Sequence, residues 1–241
     1  QLPDWLAPKP MEIDTLLFNT ACYFDVVDKL IVINNLLGIN SNSLFKEKND
    51  IKKAINDRYF NLNSFTYSND KQGITVFLAN LGIVEEKYKE NVNKSIRKHY
   101  EDLDYHLDTG IIITPILMEY LSVNDMKDVA WKIMSQVDYP SFAYMLKDET
   151  TFPEHWSKFW ISYSRGEGDE IVMGDDVSHC HPMFSAIIAW MIKYVIGIDL
   201  SNKNIDFENI KPLFSDYINN FKLSYNGKTI IYSKDKGVQV K

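Results

Sequence analysis

From Met11 to about Ile198, apolar residues return every three or four positions. That is the spacing of one helical face, and it constrains the fold more than any other feature of the chain. A chain patterned this way must bury helix against helix. Ile13, Leu16, Leu17, Thr20, Phe24, Val27, Leu30 and Ile31 mark one face of a long amphipathic helix, which Gly38 closes as the residue after its C-cap. The same periodicity predicts helices over 43–59, 71–81, 85–106, 114–121, 125–136, 140–146 and 182–198. The last is apolar nearly all round and reads as buried, whereas the charged stretch from Glu85 to His106 reads as a solvated outer face. About eight helices joined by short polar turns, buried and exposed ones alternating, predict hairpins stacked side by side. No convincing repeat is present, so the arrangement is closer to part of an α/α toroid than to a regular solenoid. An ordinary helical bundle fits the same pattern.

After Ile198 the character changes. Phe221 to Tyr225, then Asn226-Gly227, then Thr229 to Tyr232 is a β-hairpin signal, with Asn-Gly suited to a type I′ turn. Some forty residues are too few for an independent β-sandwich. The expected organisation is therefore mainly α: residues 1–198 as part of a toroid of helical hairpins, and 199–241 as the start or remnant of a β domain.

With 45% hydrophobic and 13% aromatic residues the chain has material for a real core and is not of the disordered class. A net charge of −7 and a pI near 5.3 argue against a nucleic-acid partner. Cys22 and Cys180 have neither disulfide-framework nor metal-ligand spacing and read as buried thiols. The longest apolar run, 183–198, is interrupted by Lys193 and is shorter than the roughly 20 residues of a membrane span. The chain opens on Gln1 rather than a methionine, so targeting and compartment, cytoplasmic or exported, stay open.

Chemistry-bearing residues concentrate downstream. Glu154 follows Pro153, sits beside His155 and Trp156, and has Phe152, Phe159 and Trp160 nearby. A carboxylate walled by aromatic rings loses hydration, which favours general acid or base work, and aromatic faces stack on sugar rings. The plainer reading is a helix-start carboxylate in a Thr-Thr-x-Pro-Glu capping sequence. His179 and His181 precede Pro182, where a helix is expected to open. They fit helix capping, sugar hydroxyl recognition, or, with Asp175 and Asp176, a metal pair that lacks a clear further ligand; no metal or cofactor is expected. The Gly-rich acidic stretch 157–177 reads as a lid or a solvated loop. Trp5, flanked by Pro3 and Pro8, reads as a sugar platform or a loose terminus. Asp104, His106 and Asp108 stand out by proximity alone, and the aromatic stretch 59–67 reads as packing.

Five motifs occur in order: Asp4-Trp5-Leu6; Asp108-Thr109-Gly110 with Thr114-Pro115; Asp138-Tyr139-Pro140-Ser141-Phe142; Thr150-Thr151-Phe152-Pro153-Glu154-His155-Trp156; and Ser178-His179-Cys180-His181. That order resembles the C-terminal half of the catalytic (α/α)6 barrel of bacterial α-L-rhamnosidases, which are inverting glycoside hydrolases. The block 183–198 is similar to the final barrel helix, so the resemblance spans about residues 1–198. It implies Glu154 as the general base that activates water, and His181 and Trp5 as sugar-binding residues; the aromatic and imidazole chemistry of the same motifs adds His179 and Trp156 as further expected substrate contacts. It implies a substrate with a terminal rhamnose, and a missing N-terminal half of the barrel as a structural partner. Pro153, Cys180 and Phe142 stand where the family more often has tryptophan, asparagine and tryptophan. The family's general acid belongs to an upstream Asp-x-x-Arg-x-Glu motif, a pattern this sequence does not contain. The expectation is a fragment inactive by itself, part of a rhamnoside hydrolase. The alternatives are a non-catalytic carbohydrate-binding protein on the same fold and a helical scaffold for protein contacts, the latter expecting Glu154, His181 and Trp5 not to converge.

Overall fold

A computed structural model of the chain describes residues 3–147, 149–157, 160–163, 171–174, 178–201, 205–207 and 210–241. Asp14 starts α1 (Thr15–Leu36) by accepting the Leu17 amide at 2.9 Å, which satisfies one of the amide donors a helix N-terminus leaves over. Gly38 ends the turn beyond it at φ 70°. α2 (Asn42–Tyr59) forms a hairpin with α1, across which Asp28 pairs with Lys48 and the Tyr23 hydroxyl donates to Glu47. Then follow α3 (Ile74–Asn80), α4 (Lys89–Asp102) entered through a 3₁₀ turn at Glu86–Tyr88, α5 (Ile113–Val123), α6 (Lys127–Met134) and α7 (Phe142–Leu146). α8 (Ala186–Trp190) continues as a wider π-helical turn, Met191–Ile196.

The chemistry of each helix decides its layer. α3 buries Ile74 through Leu78 and α5 buries Ile113, Thr114, Leu117, Met118, Leu121 and neighbours; these two pack on each other and form the inner layer. α2 and α4 are rich in charge, bury a thin stripe each (Ile55; Val92, Ile96 and Tyr100) and lie outside. The chain is therefore mainly helical with buried and charged helices in alternation. One apolar cluster runs from Ile13 to Phe214.

The terminal sheet is antiparallel, in the order β5 (Asn220–Tyr225), β6 (Lys228–Ser233), β7 (Gly237–Val240). Tyr225 faces Lys228 across Asn226 and Gly227, at φ 52° and 75°, the paired positive φ values of a type I′ turn. Ile230 joins Ile198 and Ile210 in a second small core, and the Leu213 amide donates to the Tyr194 carbonyl, binding this region to the π turn.

Three features depart from the sequence pattern. A hairpin of β1 (Phe60–Asn61) and β2 (Thr66–Tyr67) interrupts the aromatic stretch, and the 157–177 loop contains an antiparallel pair, β3 (Trp160–Tyr163) with β4 (Ile171–Gly174). Gly166, Glu167, Gly168, Asp169, Glu170, Asp175 and Asp176 lie outside the described residues. The final helix starts at Ala186, because 182–185 form a turn, and it is not buried all round. Ile187, Trp190 and Val195 enter the core, but Ile188 is 47% exposed. Among the described residues no helix is long and apolar enough to cross a membrane.

Candidate active site

Trp5 is held by its neighbour. Asp4 is wholly buried and its carboxylate accepts four backbone N–H groups: Trp5 and Ile112 on Oδ1, Gly110 and Ile113 on Oδ2, at 2.8–3.3 Å. Burial pushes its pKa up, while the four amide donors pull the other way. The Trp5 carbonyl in turn accepts the Ile111 amide at 2.8 Å. Gly110 is required here by close approach, since a Cβ at that position would lie 2.2 Å from the Trp5 carbonyl oxygen and 2.7 Å from the Asp4 carboxyl carbon. The N-terminal segment is thus not a loose end. It is fixed to the first turn of the inner helix α5.

The same turn holds the Glu154 loop. Trp156 donates its indole N–H to the Thr109 carbonyl at 3.1 Å. Thr109, also wholly buried, shares a hydroxyl hydrogen bond with Thr114, whose hydroxyl also reaches the Gly110 carbonyl. Trp156 is wholly buried with Phe142 and Phe184 packed around it at ring separations of 5.6 and 4.5 Å. No face is open to a sugar, so the expectation of Trp156 as a substrate contact is corrected: it is the core residue that seats the loop. Phe152 packs edge-on to Phe142 and is buried too. The aromatic neighbours Phe152 and Trp156 therefore turn inward rather than wall the carboxylate; Phe159 lies outside the described residues.

Glu154 itself is half-buried and lies in a loop, not at a helix start. It is paired reciprocally with Ser178: its amide donates to the Ser178 carbonyl at 2.7 Å, and its Oε2 accepts the Ser178 amide at 3.3 Å. Beside this, the His181 amide donates to the Phe152 carbonyl at 2.8 Å, and the Thr151 hydroxyl donates to the His179 carbonyl. The segments 151–154 and 178–181 therefore run side by side. His181 is half-buried, and its Nδ1 accepts the Met183 amide at 3.4 Å, closing the turn that precedes α8. The imidazoles are four or more residues ahead of that helix, so the expected placement at its N-terminus is corrected. His179 is exposed, with Nδ1 3.6 Å from Glu149. His155 is buried, its Nδ1 accepting the Ser157 amide at 3.1 Å, and burial lowers its pKa so that it stays neutral. Cys180 is exposed and Cys22 half-buried, against the expectation of two buried thiols. Among the described residues no group of His, Cys, Asp or Glu is arranged to hold a metal ion.

Asp108, which stands out in the sequence by proximity alone, has a tertiary role. It accepts His99 Nε2 at 2.9 Å and the Gln72 amide at 2.9 Å. Gln72 then donates to the Lys9 and Pro10 carbonyls and accepts the Glu12 amide. The chain following Trp5 is held through these contacts. Asp4 and Asp108 find partners up to 109 residues away, which no local pattern reports.

Residues 1–195 match the family model for the bacterial alpha-L-rhamnosidase six-hairpin glycosidase domain. The chain belongs to this family. An alpha-L-rhamnosidase of Formosa agariphila (strain DSM 15362 / KCTC 12365 / LMG 23005 / KMM 3901 / M-2Alg 35-1) is 26% identical over 230 residues, which is 90% of this chain and 23% of the relative. A second alpha-L-rhamnosidase of that organism is 28% identical over 131 residues, 54% of this chain and 14% of the relative. The crystal structure of Streptomyces avermitilis alpha-L-rhamnosidase complexed with L-rhamnose superposes with a TM-score of 0.76 at 20% identity, covering 95% of this chain and 23% of that one. That of native alfa-L-rhamnosidase from Aspergillus terreus gives 0.74 at 19% identity, covering 99% and 27%. The rhamnosidase-family chain thus spans about a quarter or less of the length of these relatives, and its fold is theirs across both the helices and the terminal sheet.

Proposed function

We propose that this chain is the base-side part of an inverting glycoside hydrolase acting on terminal α-L-rhamnosides. Glu154 is the general base that activates water. His181 and Trp5 hold the sugar, and His179 lies at the rim of the site. Loss of the leaving group is completed by an acid supplied from elsewhere in the longer protein, in a single displacement through an oxocarbenium-like transition state. The observation that supports this reading is that two sequence-distant segments, the one carrying Trp5 and the one carrying Glu154, are seated on one helix end, with the His181 segment hydrogen-bonded to the second. Glu154 and His181 lie on adjacent strands of chain tied by mutual hydrogen bonds, and both the Glu154 loop and Trp5 are seated on the 109–113 turn.

α1 supports the companion proposal, that the chain docks on helices of a barrel half it does not contain. One stripe of α1 (Leu17, Phe18, Ala21, Phe24, Val27, Ile31) is buried, while Leu16, Tyr23, Val26, Leu30, Ile33 and Leu37 are exposed at seven-, three- and four-residue steps. A second seam at that spacing is the surface one helix offers another. In this reading residues 1–198 belong to the barrel, and 199–241 begin the following β domain.

The test is release of 4-nitrophenol from 4-nitrophenyl α-L-rhamnoside by the full-length parent protein, its Glu154→Gln variant and the isolated chain. The parent turns over, the variant loses about 10²–10⁴-fold in kcat, and the isolated chain is inactive. A parent that binds rhamnose without turnover is instead a carbohydrate-binding protein on this fold. A parent that does neither removes the rhamnoside assignment.

A further inference from the structure

Trp5 sits between a clamp and a strained residue. Asp4, on one side, takes four backbone amides. Leu6, on the other, has φ 57°, a left-handed conformation that a leucine side chain disfavours. A backbone held that way persists only where the surrounding structure over-determines it. The chain from Ala7 to Ile13 belongs to no helix or strand, so side chains must supply the second anchor.

Gln72 supplies most of it. Its side chain is buried. Oε1 accepts the Glu12 amide at 2.8 Å, while Nε2 donates to the Pro10 carbonyl at 2.9 Å and the Lys9 carbonyl at 3.3 Å. One buried amide thus serves three backbone groups of a segment without a ladder of its own. The Tyr139 hydroxyl adds a bond to the Pro8 carbonyl at 2.9 Å, and the Asn69 amide one to the Glu12 carbonyl at 2.8 Å. Gln72 is itself fixed from beneath. It adopts φ 52°, following Asp70 at 52° and Ser68 at 53°, and its backbone N–H donates to Asp108, the carboxylate that His99 also reaches. At Gly73 a Cβ would lie 2.6 Å from Thr109 Cγ2 and 2.8 Å from Ile113 Cγ2, so this strained turn packs directly on the 109–113 turn.

We propose that Gln72 is a positioning residue for sugar binding, which holds the Trp5 segment in register with the Glu154 loop. The proposal rests on the glycoside-hydrolase reading above and assigns Gln72 no contact with substrate. Three consecutive residues are the common reference. The Asp108 side chain holds Gln72, the Thr109 carbonyl holds Trp156 and with it the Glu154 loop, and the Gly110 amide holds Asp4. A sugar that must meet Trp5 and the water activated by Glu154 together is sensitive to any slip between the two segments. Loss of the Gln72 amide lets Leu6 relax and displaces Trp5 while leaving Glu154 in place. It therefore weakens binding more than it slows the chemical step.

The test compares the full-length parent protein with its Gln72→Met variant, which keeps an unbranched side chain at the same φ and removes all three side-chain bonds. Hydrogen–deuterium exchange read by mass spectrometry speeds up in peptides covering 5–13 and is unchanged in those covering 109–114. With 4-nitrophenyl α-L-rhamnoside, KM rises roughly tenfold while kcat stays within about twofold. Ile230→Val, in the small core under the terminal sheet, lowers the melting temperature and leaves KM where it was. Faster exchange in 5–13 with an unchanged KM makes Gln72 a structural tie only and overturns the proposal. Unchanged exchange in 5–13 overturns it too, as does an equal rise of KM in Ile230→Val, which would assign the effect to stability. An active parent that Gln72→Met matches in every respect removes the proposal and leaves the hydrolase reading standing. A parent that neither binds nor hydrolyses the rhamnoside removes both.

Discussion

Asp4 sets the outcome at the residue scale. A buried carboxylate taking four amide donors cannot be removed without stranding them, and each orphaned buried donor costs about 1–3 kcal/mol. Asp4→Ala is expected to lower stability by about 3–5 kcal/mol, read as a shifted midpoint in urea unfolding. Asp4→Asn, which keeps one acceptor oxygen, loses less. Gly110→Ala reaches the same clamp from the other side, because its Cβ meets backbone rather than a pliable side chain. Near-wild-type midpoints for both Asp4→Ala and Gly110→Ala would show that the Trp5 segment is held by something else. Trp156 differs in kind from Trp5. Buried among Phe142 and Phe184, it contributes packing, and Trp156→Ala is expected to cost about 3–5 kcal/mol, whereas Trp156→Phe, which loses the bond to Thr109 but retains a ring, costs less.

At the scale of elements, α1 is the helix whose composition exceeds its partners. It is apolar on two stripes, and the described residues cover one of them. Leu30→Glu combined with Ile33→Glu therefore leaves the folded chain intact by circular dichroism but reduces the self-association expected of a contiguous exposed apolar patch. Sedimentation velocity reads this directly, and an isolated wild-type chain that stays monomeric at high concentration removes the argument for a missing helical neighbour. α8 shows a milder version of the same imbalance, with Trp190 anchored by hydrogen bonds to Ser122 and the Met118 carbonyl while Ile188 faces outward.

At the scale of the whole molecule, two histidines with opposite environments shape the pH response. His106, pulled down by burial but raised overall by its hydrogen bond to Asp138, acts in the same sense as the first of them. Burial by itself drives the His99 pKa down, but the hydrogen bond to Asp108 and the nearby Asp70 override it and raise it to about 10. A histidine raised from 6.5 contributes its full stabilisation below about pH 6.5, and that contribution drains away as pH climbs towards 10. His155 works in the other sense. Burial lowers its pKa against a smaller opposing pull from Glu154, so the unfolded chain takes up the proton more readily and stability falls as pH drops below about 6.5. The melting temperature is expected to peak near neutrality, and His99→Gln flattens the alkaline limb. An alkaline limb as steep in His99→Gln as in the parent chain assigns the slope to other groups.

How much of this was legible in the sequence divides along a physical line. Most of the helices, the outer place of the charged α2 and α4, and the Asn226-Gly227 hairpin are local properties, set by residue spacing and by the few residues that tolerate positive φ, so the sequence by itself determined them; the burial of the final helix was not among them. The motif order around Glu154 and His181 also sufficed to place the chain in its family. Contacts between distant segments are not local. That Trp156 turns inward, that the 182–185 turn separates the histidines from α8, and that Asp4 is the clamp beneath Trp5 were decided by tertiary structure. In each case the partner is far away in the chain: Thr109 for Trp156, Phe152 for His181, Gly110 for Asp4. Which side of an aromatic or a carboxylate meets solvent depends on what packs against it, and only the folded chain supplies that neighbour.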